Sequence, residues 1–110
     1  MSLRVILITG ANGGLGQAIA RGFLHESPTN FVWLGVRSRR EQADKLVQQH
    51  PDQCARVVLD VVSPESWKQA VNEILARHSR IDVLVNNAGS HEDALLGAID
   101  RKSTRLNSSH

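Results

Sequence analysis

The chain has 110 residues with one Cys, two Phe, two Trp and no Tyr, shorter than the ~150 residues of a typical domain and without a phenol to serve as acid or base. At 41% apolar and 22% charged residues, its composition is that of a globular protein and excludes a disordered or fibrous one. The formal charge of +2 belongs to residues 100–110, where Arg101, Lys102 and Arg105 face Asp100 alone; the remainder is neutral, which removes the basis for nucleic-acid binding.

Val5-Ile6-Leu7-Ile8 is a continuous apolar run, mostly β-branched, of the kind found in a strand buried on both faces. From Leu15 the period changes: Leu15, Ala18, Ile19, Gly22 and Phe23 form one stripe of an amphipathic helix. Ser27-Pro28-Thr29-Asn30 breaks the chain, and Phe31-Val32-Trp33-Leu34 reads as a second strand. Ser38-Arg39-Arg40-Glu41 fits a capping box with Ser38 as N-cap, opening a helix striped by Ala43, Leu46, Val47 and His50, with Pro51 just beyond it. Val57-Val58-Leu59 is the third strand. Ser63-Pro64 supplies an N-cap and a first-turn proline to a helix whose stripe is Trp67, Ala70, Val71, Ile74, Leu75 and His78. Val83-Leu84-Val85 is a fourth strand and leads into Asn86-Asn87-Ala88-Gly89.

The β-α-β-α-β-α-β order predicts an α/β fold, a parallel sheet covered by helices on both faces with right-handed crossovers, truncated after the fourth strand. Ligands of such sheets bind outside the carboxyl ends of the strands, at the switch point. Cys54 cannot form an internal disulfide and is expected as a small apolar residue at a strand start. No apolar run approaches the ~20 residues of a membrane span. Met1-Ser2-Leu3-Arg4 runs directly into a strand, leaving no room for a signal peptide. The expectation is a cytoplasmic protein with no membrane partner, in which Asn107-Ser108-Ser109 matches a glycosylation acceptor by chance. His25, His50, His78 and His91 lack metal-like clustering, so no metal site is expected; Trp33 and Trp67 fit packing.

Thr9-Gly10-Ala11-Asn12-Gly13-Gly14-Leu15-Gly16 joins the first strand to the first helix. Its glycines permit a tight turn and close backbone approach to a pyrophosphate, and the helix N-terminus offers that anion free N–H groups. Gln17 after Gly16 excludes the Gly-Lys-Ser/Thr ending of a P-loop. At the end of the second strand, NAD sites place a carboxylate for the ribose 2′-hydroxyl, but Gly35-Val36-Arg37-Ser38-Arg39-Arg40 contains none before Glu41. A guanidinium binds a 2′-phosphate bidentately, so NADP (NADPH) is expected in preference to NAD, with Arg37 the main contact and Arg39 or Arg40 assisting.

Thr9, Gly10, Gly14 and Gly16 match the T-G-x-x-x-G-x-G of classical short-chain dehydrogenases/reductases, and Asn86-Asn87-Ala88-Gly89 matches their N-N-A-G. From Leu3 to about Ile99 the chain resembles the N-terminal, cofactor-binding part of that family, which implies a Rossmann-type doubly wound sheet. The resemblance implies that Gly10, Ala11, Asn12, Gly13, Gly14, Leu15 and Gly16 bind the pyrophosphate and adenosine ribose. It places the adenine amino group on Asp60 beside the Val61 backbone, the ribose on Asn87, Ala88 and Gly89, and Asn86 in support of the sheet. Gly10, Gly13 and Gly16 also fit the T-G-x-x-G-x-x-G of the extended, epimerase-like branch. Asp93-Ala94-Leu95-Leu96 resembles a segment of 3-oxoacyl-[acyl-carrier-protein] reductases, with Glu92 in place of Arg.

The implied activity is NADP(H)-dependent reduction of a carbonyl to an alcohol, with a 3-oxoacyl thioester of fatty-acid synthesis as substrate and a homo-oligomeric full-length protein. The alternatives are a catalytically inactive NADP(H)-binding module and an extended-type epimerase/dehydratase relative. The family's catalytic Tyr-x-x-x-Lys and Ser lie beyond the fourth strand, so no catalytic residue is assigned and the chain alone is expected to be inactive. Asp100 to His110 resembles, codon by codon, a translated sequencing-library adaptor; the expectation is a native region 1–99 and a foreign tail 100–110.

Overall fold

A computed structural model describes residues 3–87 and the backbone of a short strand at 107–109. The elements are β1 (Arg4–Ile8), α1 (Gly14–Glu26), β2 (Asn30–Val36), α2 (Glu41–Gln49), β3 (Cys54–Val58), α3 (Pro64–His78), β4 (Val83–Val85) and β5 (Asn107–Ser109). The sheet order is β3-β2-β1-β4-β5, with every pairing parallel. The order reverses between β1 and β4, in register Ile8 opposite Val85, so the turns leaving these strands emerge side by side. The edge of β4 is paired with Asn107–Ser109; an uncovered row of strand N–H and C=O groups accepts any extended segment.

Alternation along the strands sends side chains to two cores. Ile6, Ile8, Val32, Leu34, Val36, Val83 and Val85 pack with Ala20 and Leu24 of α1 and Ala43 and Leu46 of α2. On the other face Val5, Leu7, Phe31, Trp33 and Leu84 pack with Trp67, Ala70 and Ile74 of α3. Cys54 opens β3 and is buried, which pushes its thiol up to about 12 and keeps it protonated and unreactive. No helix among the described residues is long and apolar enough to cross a membrane.

Three local expectations need correction. Leu75, expected in the stripe of α3, is exposed, because the buried face of that helix is the narrower Trp67, Ala70 and Ile74 row. The buried face of α1 is Gly16, Gln17, Ala20 and Leu24, with Ile19 and Phe23 at its margin, whereas Leu15, Ala18 and Gly22 are exposed. The small residues set this rotation, because α1 approaches the β1 turn so closely that no side chain fits at Gly16. The expected Ser38 capping box does not form either. The helix starts at Glu41 behind Arg40, which makes no side-chain cap, and the first-turn amides are satisfied from another loop. The Ser63-Pro64 start of α3 is as expected, with Ser63 Oγ accepting from the Ser66 N–H at 3.2 Å.

At the far end of α3, the Trp33 indole N–H donates to His78 Nδ1 at 3.1 Å, and the His78 ring lies 4.3 Å from that of Phe31. Accepting that bond requires a neutral imidazole. Burial, then the neighbouring Arg77 charge, holds His78 below its ordinary value of 6.5. A depressed histidine contributes stability above its unfolded pKa that is lost as pH falls through the folded value. Acidification from about pH 8 to about pH 5 therefore lowers the melting temperature and quenches Trp33 emission. His78→Phe removes that step; an unchanged pH profile in the variant contradicts the assignment.

Candidate cofactor site

The turn after β1 is held from several directions. Gly10 has φ 61, a left-handed conformation that glycine adopts without strain. Its carbonyl accepts from Asn87 Nδ2 at 3.2 Å, and the Ala11 N–H donates to the Gly35 carbonyl at 3.0 Å. The buried Thr9 hydroxyl lies 3.2 Å from Asn86 Oδ1. The two asparagines after β4 thus reach across the switch point to the turn after β1. Asn87 occupies its side-chain amide on the protein backbone, and Asn86 meets Thr9 at the end of β1. Ala88 and Gly89 lie outside the described residues.

The glycines of the turn divide into two kinds. A methyl carbon at Gly16 would lie 2.6 Å from the Gly10 carbonyl oxygen and 2.9 Å from Ala11 Cα, so this glycine is required by the protein's own packing. A methyl at Gly14 would meet nothing within 4 Å, and one at Gly13 only the Gly10 carbonyl oxygen at 3.8 Å. No side chain caps α1, whose first amides have no partner within the helix. Space over Gly13 and Gly14, bounded by uncapped amides, suits an anionic diphosphate. Leu15 is 67% exposed at the same mouth.

Gln17 is a site residue the sequence reading passed over. It is buried, its Nε2 donates to the Ala11 carbonyl at 2.6 Å, and its Oε1 has no hydrogen-bond partner among the described residues. A long amide on the face that turns inward immediately after Gly16 was the available signal. Asn12 is predicted as part of the loop, but its side chain does something unforeseen: its Oδ1 accepts from the Gln42 and Ala43 N–H groups at 2.8 and 3.2 Å.

At the adenosine end, Arg37 follows β2 and Asp60 follows β3. The Arg37 side chain is 75% exposed, with Nε 4.0 Å from Asp60 Oδ2, so the two expected contacts stand side by side. Asp60 Oδ1 accepts from the Val62 N–H at 3.2 Å. The Val61 carbonyl is committed to the Trp67 indole N–H at 2.9 Å. Arg39 and Arg40 are exposed, Arg40 lying 4.0 Å from Asp44. Glu41, at the start of α2, is held below its usual range by its own backbone N–H, then by Asn12 and the charges of Arg39 and Arg40. Among the described residues no group of three His, Cys, Asp or Glu side chains could hold a metal ion.

An open glycine turn before an uncapped helix, at the switch point of a parallel sheet, fits a dinucleotide. The family model for short chain dehydrogenases matches residues 4–106. The chain belongs to the short-chain dehydrogenase family. Members of this family bind nicotinamide cofactors, the electron carriers that supply or accept the hydride. The chain is 41% identical over 96 residues to the 3-oxoacyl-[acyl-carrier-protein] reductase FabG of Thermotoga maritima, covering 84% of this chain and 38% of that protein. Two similar solved structures carry different cofactors. L-sorbose reductase from Gluconobacter frateurii, complexed with NADPH and L-sorbose, is 27% identical with a TM-score of 0.74, covering 89% of this chain and 45% of that one. The 3-ketoacyl-(acyl-carrier-protein) reductase from Brucella melitensis, complexed with NADH, is 25% identical with a TM-score of 0.71, covering 94% and 47%. The chain therefore spans less than half the length of each of these proteins.

Proposed function

We propose that this chain is the cofactor-binding part of an NADP(H)-dependent carbonyl reductase. The observation that carries the reading is the pairing of an open glycine turn with Arg37 as the exposed charge at the end of β2. In this reading Gly13, Gly14 and Leu15 face the diphosphate, while Gly10, Ala11 and Gly16 shape the turn. Asp60 and Val61 meet the adenine. Arg37 leaves its long contact with Asp60 to clamp the 2′-phosphate, with Arg39 or Arg40 beside it. A phosphate is tolerated there because Gly35 to Arg40 contains no carboxylate to repel it. Asn87, with Ala88 and Gly89, borders the nicotinamide half.

The substrate proposed is a 3-oxoacyl thioester, supported by the identity to the Thermotoga reductase. The nicotinamide supplies the hydride; this chain binds and orients it. With no Tyr in the sequence, the chain binds the cofactor without reducing a carbonyl by itself. The whole protein is taken to be cytoplasmic and homo-oligomeric. Residues 100–110 are proposed to be foreign. The family match runs to residue 106, so the boundary at Ile99 rests on the codon likeness, and resequencing across the junction tests it.

Arg37→Asp tests the cofactor reading. The variant is expected to lose its preference for NADPH and to favour NADH, a change of about 2 kcal/mol or more, because a bidentate ion pair is replaced by charge repulsion. Fluorescence titration with both cofactors measures it. Equal affinities in the unmodified chain remove the role assigned to Arg37.

A further inference from the structure

The N-terminus of α2 is built in an unusual way. Arg40, at the N-cap position, provides no side-chain acceptor. The Gln42 and Ala43 amides, at the positions an N-cap ordinarily serves, are instead accepted by Asn12, some thirty residues earlier in the glycine turn. The same side chain donates from Nδ2 to Glu41 Oε1 at 3.4 Å. One amide therefore makes three contacts with the first turn of α2. Its own backbone lies between Ala11, fastened by Gln17 and Gly35, and Gly13, which opens α1. The segment bearing Arg37, Arg39 and Arg40 leads directly into that first turn.

We propose that Asn12 is a positioning residue that couples the diphosphate loop to the arginine segment, so that filling the loop and ordering the 2′-phosphate contacts are one event. The proposal rests on the dinucleotide reading above. Asn12 acts through α2 and does not need to touch the 2′-phosphate. Without it, two first-turn amides lose their acceptor and the segment leading to them loses its fixed end. With it, a ligand that tightens the loop also tightens the helix start, which is a coupling free energy between two subsites.

Inorganic diphosphate, which can fill the loop but has no adenosine, separates the possibilities. In the unmodified chain it is expected to shift the amide NMR signals of Gly13 to Gly16 and to slow hydrogen exchange at Gln42 and Ala43 by about fivefold or more. Asn12→Ala keeps the loop response and loses the α2 response. Asn12→Asp retains an acceptor and restores it, at higher diphosphate because of the added charge. A loop response with no α2 response in the unmodified chain overturns the coupling alone. An equal α2 response in Asn12→Ala also overturns it, since diphosphate is then reaching the arginines directly. No response at the loop overturns the dinucleotide reading itself and the coupling with it.

The cofactor ratio gives a second readout. Asn12→Ala is expected to reduce the NADPH-over-NADH preference by about fivefold, whereas Asn12→Asp retains part of it, because its carboxylate still accepts from Gln42 and Ala43 but stands against Glu41 and repels the 2′-phosphate that only NADPH carries. Equal weakening of both cofactors by Asn12→Ala contradicts the proposal, as does an unchanged ratio.

Discussion

Gly16→Ala is expected to destabilise the chain and remove dinucleotide binding together. An alanine in the interior of a helix ordinarily gains about 0.5–1 kcal/mol over glycine. Here the new methyl lies 2.6 Å from the Gly10 carbonyl oxygen, 2.9 Å from Ala11 Cα and 3.1 Å from Asn87 Nδ2. Two of those neighbours are backbone and cannot rotate away. Overpacking of this kind costs about 1–3 kcal/mol, so the clash exceeds the propensity gain and α1 is pushed off the turn. Gly14→Ala is the control, because its methyl meets no protein atom within 4 Å. Its stability should stay within about 0.5 kcal/mol of the parent. Its affinity for a dinucleotide should fall about tenfold or more, as the methyl fills space required by the diphosphate. Urea unfolding and cofactor titration of both variants measure the difference. A stable, binding-competent Gly16→Ala chain contradicts the geometry of the turn.

Trp67→Ala is expected to cost about 3–5 kcal/mol, a large part of the ~5–15 kcal/mol that stabilises an ordinary domain. Trp67 is fully buried in the core beneath α3, and its indole N–H satisfies the Val61 carbonyl at 2.9 Å. The substitution leaves a cavity and an orphaned carbonyl in the loop after Asp60. Trp67→Phe separates the two effects, since it retains most of the apolar volume and loses the donor, for about 1–3 kcal/mol. Denaturant midpoints of the two variants provide the comparison. Equal losses assign the stabilisation to the hydrogen bond, and the larger loss expected in Trp67→Ala assigns it mainly to packing.

Features fixed by neighbours in sequence were legible before the structure. The buried strands Val5 to Ile8 and Val83 to Val85, the Ser63-Pro64 helix start and the glycine turn are patterns of a few consecutive residues, and they appear where expected. The parallel order followed from their alternation, and the switch point followed from that order. Features fixed across the fold were not legible. The rotation of α1 depends on how closely Gly16 meets Gly10, and the stripe from Leu15 to Phe23 was apolar enough to suit a neighbouring rotation. Ser38 carried a local capping signal, but Asn12 made the competing bonds from a distant loop. Gln17 was hidden because a polar residue is ordinarily assigned to the exposed face of a helix. The pairing of Arg37 with Asp60 required β2 and β3 to be adjacent and in register, which single residues do not reveal.

The glycine turn and Arg37 are proposed to form one site for a phosphorylated nicotinamide dinucleotide. Equilibrium titration of the purified 110-residue chain with NADPH and with NADH, followed by nicotinamide fluorescence, tests it most directly. Saturable binding of both is expected, with NADPH tighter by about tenfold or more, equivalent to about 1.4 kcal/mol. Absence of saturable binding, or NADH binding as tightly as NADPH, contradicts it.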